Sequence, residues 1–295
     1  MKTVVIDKKD VKLTFENSAI KVEQQSIPFK YIDLLILNYK INLNTGDILK
    51  LTKEDISILI VSHANDNLSL ISSANTKNGE IKLAQFISHA RHIEFAKYFI
   101  SSKITQHVHQ LKNYETAPLE YENELLQLQN ATSIDEIMGI EGAFAKKYFK
   151  GFFSLFPSQM HKNKRSKQPP LDPVNAILSF WYSLYYNIIT VKLMSYGFEP
   201  SLGYLHKPFR THNALASDML ELFRADINDA VVQIFKNNIL EMGDFSKKGG
   251  VYLKFDGRKK LWSYFITLVD TLKPKLDNEI ATLKQMIYDE ENTHN

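Results

Sequence analysis

The chain has 295 residues, 44% of them hydrophobic, with 36 Lys and Arg against 33 Asp and Glu and a formal charge of +3. This length allows two ordinary domains or one large one, and the charge is too small by itself to imply nucleic acid, so local clusters must carry that argument. The absence of cysteine excludes disulfides, thiolate zinc sites, iron–sulfur clusters and a cysteine nucleophile, leaving His, Asp and Glu as the only strong metal ligands.

The opening "MKTVVIDKKD" regains charge after three apolar residues, which fits neither a secretory signal nor a membrane anchor. Short runs rich in Val, Ile and Leu follow: "TVVID", "VKLTF", "AIKVE", "IDLLIL" and "ISILIV". They read as strands, with "TGDILKLTKED" as a short helix between the last two. Val11, Leu13, Phe15, Ala19 and Val22 suggest an antiparallel hairpin with one wet face. Residues 1–75 are expected to form a β-rich domain, and polar "SSANTKNGEIK" supplies a linker, set at 76–83. From 84 to 295 the spacing turns helical, starting with Phe86, Ala90, Ile93 and Ala96. The fold class expected is α+β, a small N-terminal β-rich domain followed by a larger α-helical catalytic domain.

The longest apolar stretch, "LSFWYSLYYNIITVKLM" from Leu178, is broken by Ser179, Ser183, Asn187 and Thr190 and ended by Lys192, short of a membrane span. No membrane association and a cytoplasmic location are therefore expected. Interruptions fall at 161–173, 197–208 and 243–259, and the acidic "DEEN" near the end reads as a frayed terminus.

Several groups could carry chemistry. Ile137, Phe144, Tyr148 and Phe152 make one helical stripe, and Glu141 stands on it, so a carboxylate is turned toward the core. It either pairs with Lys or Arg from another helix or serves as a ligand. Gly139 and Gly142 beside it each cost roughly 1 kcal/mol relative to Ala, which suggests a close approach to the backbone. His206 follows a Gly- and Pro-containing loop, where functional groups concentrate, though a lone loop His is commonly a surface imidazole. Asp218 and Glu221 share a helix face at i,i+3; a metal ion could relieve their repulsion, as could pairing with Arg224 and Arg210.

Basic residues cluster as Lys162, Lys164, Arg165 and Lys167, as Lys247, Lys248, Lys254, Arg258, Lys259 and Lys260, and along Lys82, Arg91, Lys97 and Lys103. Such clusters suit solvated surface or a phosphate backbone. No Walker motif, dinucleotide-binding glycine loop or Gly-x-Ser-x-Gly elbow is present.

Taken in order, "MGIEGAFAKKYF", "DPVNAILSFWYSLYYNII" and "GFEPSLGYLH" followed by "DMLELFR" resemble the CRISPR-associated adaptation integrases, the Cas-one family. The helix with "ISSKITQ" and the late "GGVYLKFDGRKKL" are similar too, so the likeness covers nearly the whole chain. Many relatives carry Pro where this chain has Leu222 and Ala225. The resemblance implies an N-terminal β-domain that helps form a homodimer and a helical domain with a divalent metal site. Carried over by motif, the ligands and catalytic residues are Glu141, His206 and Glu221, with Asp218 and Asn175 near the site. It implies Mg²⁺ or Mn²⁺ as cofactor, with DNA contacts from Lys164, Arg165, Lys167, Arg210, Arg224, Lys254 and Arg258. The implied partners are DNA, as prespacer and CRISPR repeat, and a small Cas-two protein. The implied reaction is metal-dependent phosphodiester strand transfer inserting new spacers, with endonuclease activity when water replaces the attacking hydroxyl. A nuclease of branched DNA in repair and a non-catalytic DNA-binding scaffold are the alternatives.

Overall fold

Strand β5 (Leu34–Asn38) is buried at every position, and its alternation explains how the molecule is layered. Leu34 and Ile36 join the core of the helical part, whereas Leu35 and Leu37 join a second core on the opposite face. Successive strand side chains point to opposite faces, so one strand can serve both cores. These features come from a computed structural model, which describes residues 2–8, 11–61, 68–73, 78–114, 116–210 and 212–289.

The main sheet runs β1 (Thr3–Ile6), β5, β6 (Ser57–Val61) and β7 (Leu68–Ile71), parallel for the first three and antiparallel at β7. Helix α1 (Thr45–Lys53), capped by Asn44, links β5 to β6 as the sequence predicts. A three-stranded antiparallel sheet of β2 (Leu13–Glu16), β3 (Ala19–Val22) and β4 (Gln25–Pro28) closes the second core. Its first turn uses Asn17 and Ser18, both at positive φ, as a two-residue hairpin of this twist requires. Register pairs Phe15 with Ile20 and Leu13 with Val22, so Ile20, not Ala19, shares the apolar face with Phe15. Polar "QSIP" and the short "LSLI" gave too little pattern to be read as strands β4 and β7.

The first helical stripe also needs correction. Helix α2 (Gly79–Ser88) begins inside the predicted linker, capped by Asn78, and buries Ile81, Gln85 and Ser88 while Phe86 is 70% exposed. A 3-10 turn at His89–Arg91 then resets the phase before α3 (His92–Lys112), so no stripe runs through both. Residues 74–77 of the linker region, and 290–292 of the acidic tail, lie outside the described residues.

The remaining helices are α4 (Glu122–Asn130), α5 (Ile134–Phe153), α6 (Pro173–Tyr196), α7 (Ala214–Glu221), α8 (Arg224–Lys236) and α9 (Phe255–Tyr288), with a hairpin of β8 (Phe245–Lys247) and β9 (Val251–Leu253) before the last. The apolar stretch around Leu178 is α6, buried on most sides. Asp172 caps it, Pro173 fits its first turn, and Gly197 at φ 94° ends it. Among the described residues no helix is long and apolar enough to cross a membrane.

Candidate active site

Helix α5 turns Ile137, Phe144, Tyr148 and Phe152 into the core, and Glu141 rides the same face. Helix α3 mirrors this: Lys103 stands one turn from Phe99 and one from His107, all buried. The two helices pack together, so an ammonium meets a carboxylate. Lys103 donates to Glu141 Oε1 and lies 2.6 Å from Glu221 Oε2, at the end of α7. Arg224 Nε, at the start of α8, donates to that same Oε2 at 2.7 Å. Burial alone would raise the Glu221 carboxyl, but Arg224 and Lys103 outweigh it and hold the group well below the usual range. Burial would likewise lower the Lys103 ammonium, yet Glu221 and Glu141 raise it.

His206 arrives from the loop after α6 and is fixed from below. Asp218, fully buried, accepts the backbone N–H groups of Tyr204 at 2.6 Å, Leu205 at 3.0 Å and His206 at 2.9 Å. Its Oδ1 is also 2.7 Å from His206 Nδ1. A proton on Nδ1 satisfies that contact and leaves the Nε2 lone pair available. Asp218 is thus turned away from Glu221 despite the i,i+3 spacing, and its charge is spent on amides and imidazole, with none left to face an ion or Arg210.

Glu141, His206 and Glu221 line one cavity of about 560 Å³, together with Lys103, Lys164, Arg165, Lys167 and Arg224. Among the described residues no three His, Asp or Glu side chains are grouped as a metal site; the two glutamates converge on the Lys103 ammonium instead. In kind the donors suit a hard divalent cation: two carboxylates, and an imidazole whose Nδ1 is held by a carboxylate.

The basic residues divide. Lys164, Arg165 and Lys167 face the cavity, and Arg165, Lys167, Tyr182 and Arg224 also wall a neighbouring cavity of about 680 Å³. Asn175, fully buried, organises this wall: its amide donates to Lys164 O and Asp172 Oδ2, and its carbonyl accepts from Arg165 and Ser166 N. Arg165 rests on the neutral oxygens of Ser166, Asn175 and Ser179, and burial pushes its guanidinium down to about 10. Arg224 is committed to Glu221 and stacks over the Tyr182 ring. Arg210 is exposed, over Phe209, and Lys254 is exposed and donates to Gly243 O; neither lines the cavity.

Arg258 is a correction. It is 1% exposed and paired with Asp7, so its guanidinium cannot contact DNA. Its neighbours in sequence are basic, and helical phase, not composition, turned it inward. Lys103 likewise departs from its basic cluster, read as solvated surface or phosphate-binding: it is buried and paired with Glu141 and Glu221. The available signal was a charged residue in an otherwise apolar i, i+4 row, the same signal that marked Glu141. Among the described residues Gly139 and Gly142 have nothing within 4 Å of where a Cβ would stand, so none of these makes the close approach expected there.

A family model described as CRISPR associated protein Cas1 matches residues 2–266. The chain is 27% identical to the CRISPR-associated endonuclease Cas1 1 of Thermodesulfovibrio yellowstonii, covering 98% of each. It is also 27% identical to the CRISPR-associated endonuclease Cas1 of Clostridium perfringens, over 96% of this chain and 89% of that one. Among solved structures, a CAS1 protein from Thermotoga maritima superposes with a TM-score of 0.89 at 19% identity, covering 97% of both chains. A casposase bound to integration product superposes with a TM-score of 0.87 at 21% identity, over 98% of this chain and 91% of that one. At these identities the two structures speak for the fold.

Proposed function

The chain belongs to the Cas1 family of CRISPR-associated proteins, and from that premise we propose that it is an adaptation integrase and endonuclease. It joins a DNA 3′-hydroxyl to a phosphate of the CRISPR repeat and so inserts new spacers. The observation that carries this reading is one cavity lined by Glu141, His206 and Glu221 and rimmed by Lys164, Arg165 and Lys167. Two carboxylates and an imidazole suit metal-assisted attack on phosphorus, and the cationic rim suits a phosphodiester backbone.

Glu141, His206 and Glu221 would hold a divalent ion, Mg²⁺ or Mn²⁺. Bound there, it would polarise a phosphoryl oxygen and stabilise the attacking or leaving oxygen. Asp218 holds the His206 ring through Nδ1, which leaves Nε2 as the nitrogen to face the ion. Arg224 keeps Glu221 ionised and aimed. Asn175 holds Arg165 and the Lys164 backbone on the cavity wall, where their charge would neutralise the phosphates flanking the reacting one. The new oxygen–phosphorus bond forms as the old one breaks, and the strand segment on the other side of that phosphate leaves with a 3′-hydroxyl; with water as nucleophile the same displacement is hydrolysis.

By family kinship the protein works as a homodimer with a small Cas2 protein, on prespacer DNA, in the cytoplasm. Two complexes of similar fold are described as Cas6-RT-Cas1 with Cas2, which supports that partnership. The test is strand transfer on a branched DNA mimicking the half-integrated product, with Mg²⁺ or Mn²⁺. Wild type should react only with metal, while Glu141→Ala and His206→Ala should fold and bind DNA but not react. If all three bind DNA equally and none reacts even with the small partner present, the scaffold alternative replaces this reading.

A further inference from the structure

We infer that Lys103 is a built-in counter-ion of the site: its ammonium occupies the place between Glu141 and Glu221 where a divalent ion would bind, so loading is an exchange and Lys103 lowers the site's affinity for the ion. The inference rests on the metal reading proposed above for those two glutamates.

Three elements meet at this ammonium. Lys103 comes from α3, Glu141 from α5 and Glu221 from α7, and the ammonium touches both carboxylates. The residue is 8% exposed, its neighbours Phe99, Ile100 and Ile104 are buried and apolar, and it lines the cavity, into which its head can move. Glu221 Oε1 and Glu141 Oε2 accept no hydrogen bond from a described residue, and these are the oxygens left for another cation.

Charge decides the sign of the effect. Glu141 and Glu221 are balanced by Lys103 and Arg224, so the local set is neutral as it stands. A divalent ion added beside an unmoved ammonium would leave two positive charges in excess at contact range, in a partly desolvated place where such repulsion is strong. The four-carbon lysine stem can swing its head into the cavity, whereas Arg224, held by Nε and stacked on Tyr182, stays. Removing the ammonium leaves two carboxylates facing each other with one guanidinium between the pair and neutrality. Such a site binds a divalent cation more tightly and is less stable without it.

The experiment titrates Mn²⁺ into wild type, Lys103→Met and Lys103→Gln, reading free Mn²⁺ by electron paramagnetic resonance and the Tm at each concentration. Both variants should melt below wild type without metal, bind Mn²⁺ on the order of tenfold more tightly or better, and gain more Tm from it. Adding Glu141→Ala to Lys103→Met should abolish the gain, which locates the ion. If folded Lys103→Gln binds Mn²⁺ no more tightly than wild type, or more weakly, Lys103 is not a competitor and the inference fails while the metal reading survives. If wild type and every Lys103 variant bind no Mn²⁺, the metal reading fails and the inference falls with it. Should Lys103→Met refuse to fold without metal, Lys103→Gln, which keeps a hydrogen-bond donor for the two acids, supplies the comparison.

Discussion

Asp7 and Arg258 stand 251 residues apart in the chain and meet through two hydrogen bonds, Nε to Oδ2 at 2.6 Å and Nη2 to Oδ1 at 2.9 Å. Asn38 and Trp262 donate to the same carboxylate, at 2.6 Å and 2.8 Å. The pair fastens the end of β1 to the first turns of α9, with both side chains under 5% exposed (2% and 4%). Arg258→Ala would strand a buried carboxylate and should cost about 3–5 kcal/mol in urea unfolding. Changing both partners, Asp7→Leu with Arg258→Met, should cost less than Arg258→Ala alone, because no unpaired charge remains.

The rim lysines should behave in the opposite way. Lys164→Ala and Lys167→Ala should leave Tm nearly unchanged while each lowers the slope of log affinity for DNA against log salt by about 1. Fluorescence anisotropy between about 50 and 200 mM salt would measure it. A slope unchanged in both would remove these side chains from the DNA path.

His206 and Asp218 separate chemistry from architecture. His206→Ala leaves the amide contacts of Asp218 in place, so Tm should stay close to wild type while strand transfer disappears. Asp218→Ala strips three backbone N–H groups of their acceptor, two buried and one part-buried, with roughly 1–3 kcal/mol lost for each buried one, and should lower Tm by several degrees as well as activity. Calorimetry alongside the strand-transfer assay distinguishes the two.

Two glycines give a paired test. At Gly203 a Cβ would stand 2.8 Å from the backbone of Ala214 and 2.8 Å from Asp218 Oδ2, so Gly203→Ala must push apart the turn that presents His206. A loss of about 1–3 kcal/mol is expected, with reduced activity. Gly142→Ala meets none of the described residues within 4 Å and lies inside α5, so it should stabilise by roughly 0.5–1 kcal/mol. If DNA needs that open helix face, Gly142→Ala will nevertheless weaken DNA binding.

His107 predicts an acid limb. Its Nδ1 donates to Lys103 O at 2.7 Å, and burial pushes its pKa from 6.5 down to about 3. Between those values the unfolded chain binds a proton that the folded one refuses, so stability rises with pH there and is lost as pH falls. The slope contributed is at most about 1.4 kcal/mol per pH unit. Urea midpoints at falling pH should show it, and His107→Gln should flatten it.

What the sequence determined by itself was local. Short runs rich in Val, Ile and Leu marked β1, β5 and β6, and one carboxylate in an apolar helical row marked Glu141, because each depends on residues within a few turns of one another. The α+β order followed from the same local signals, whereas the ligand set Glu141, His206 and Glu221 came from the order and spacing of motifs that resemble one family. Tertiary packing decided which charges were surface and which were structure. In the sequence Lys103 and Arg258 look like Lys164 and Lys167, yet α3 and α9 turn the first two inward onto Glu141, Glu221 and Asp7. Likewise Asp218 and Glu221, neighbours on one helix, are sent to different partners. A buried charge is settled by the group opposite it, and that group lies on another element, tens to hundreds of residues away, where no local pattern reaches.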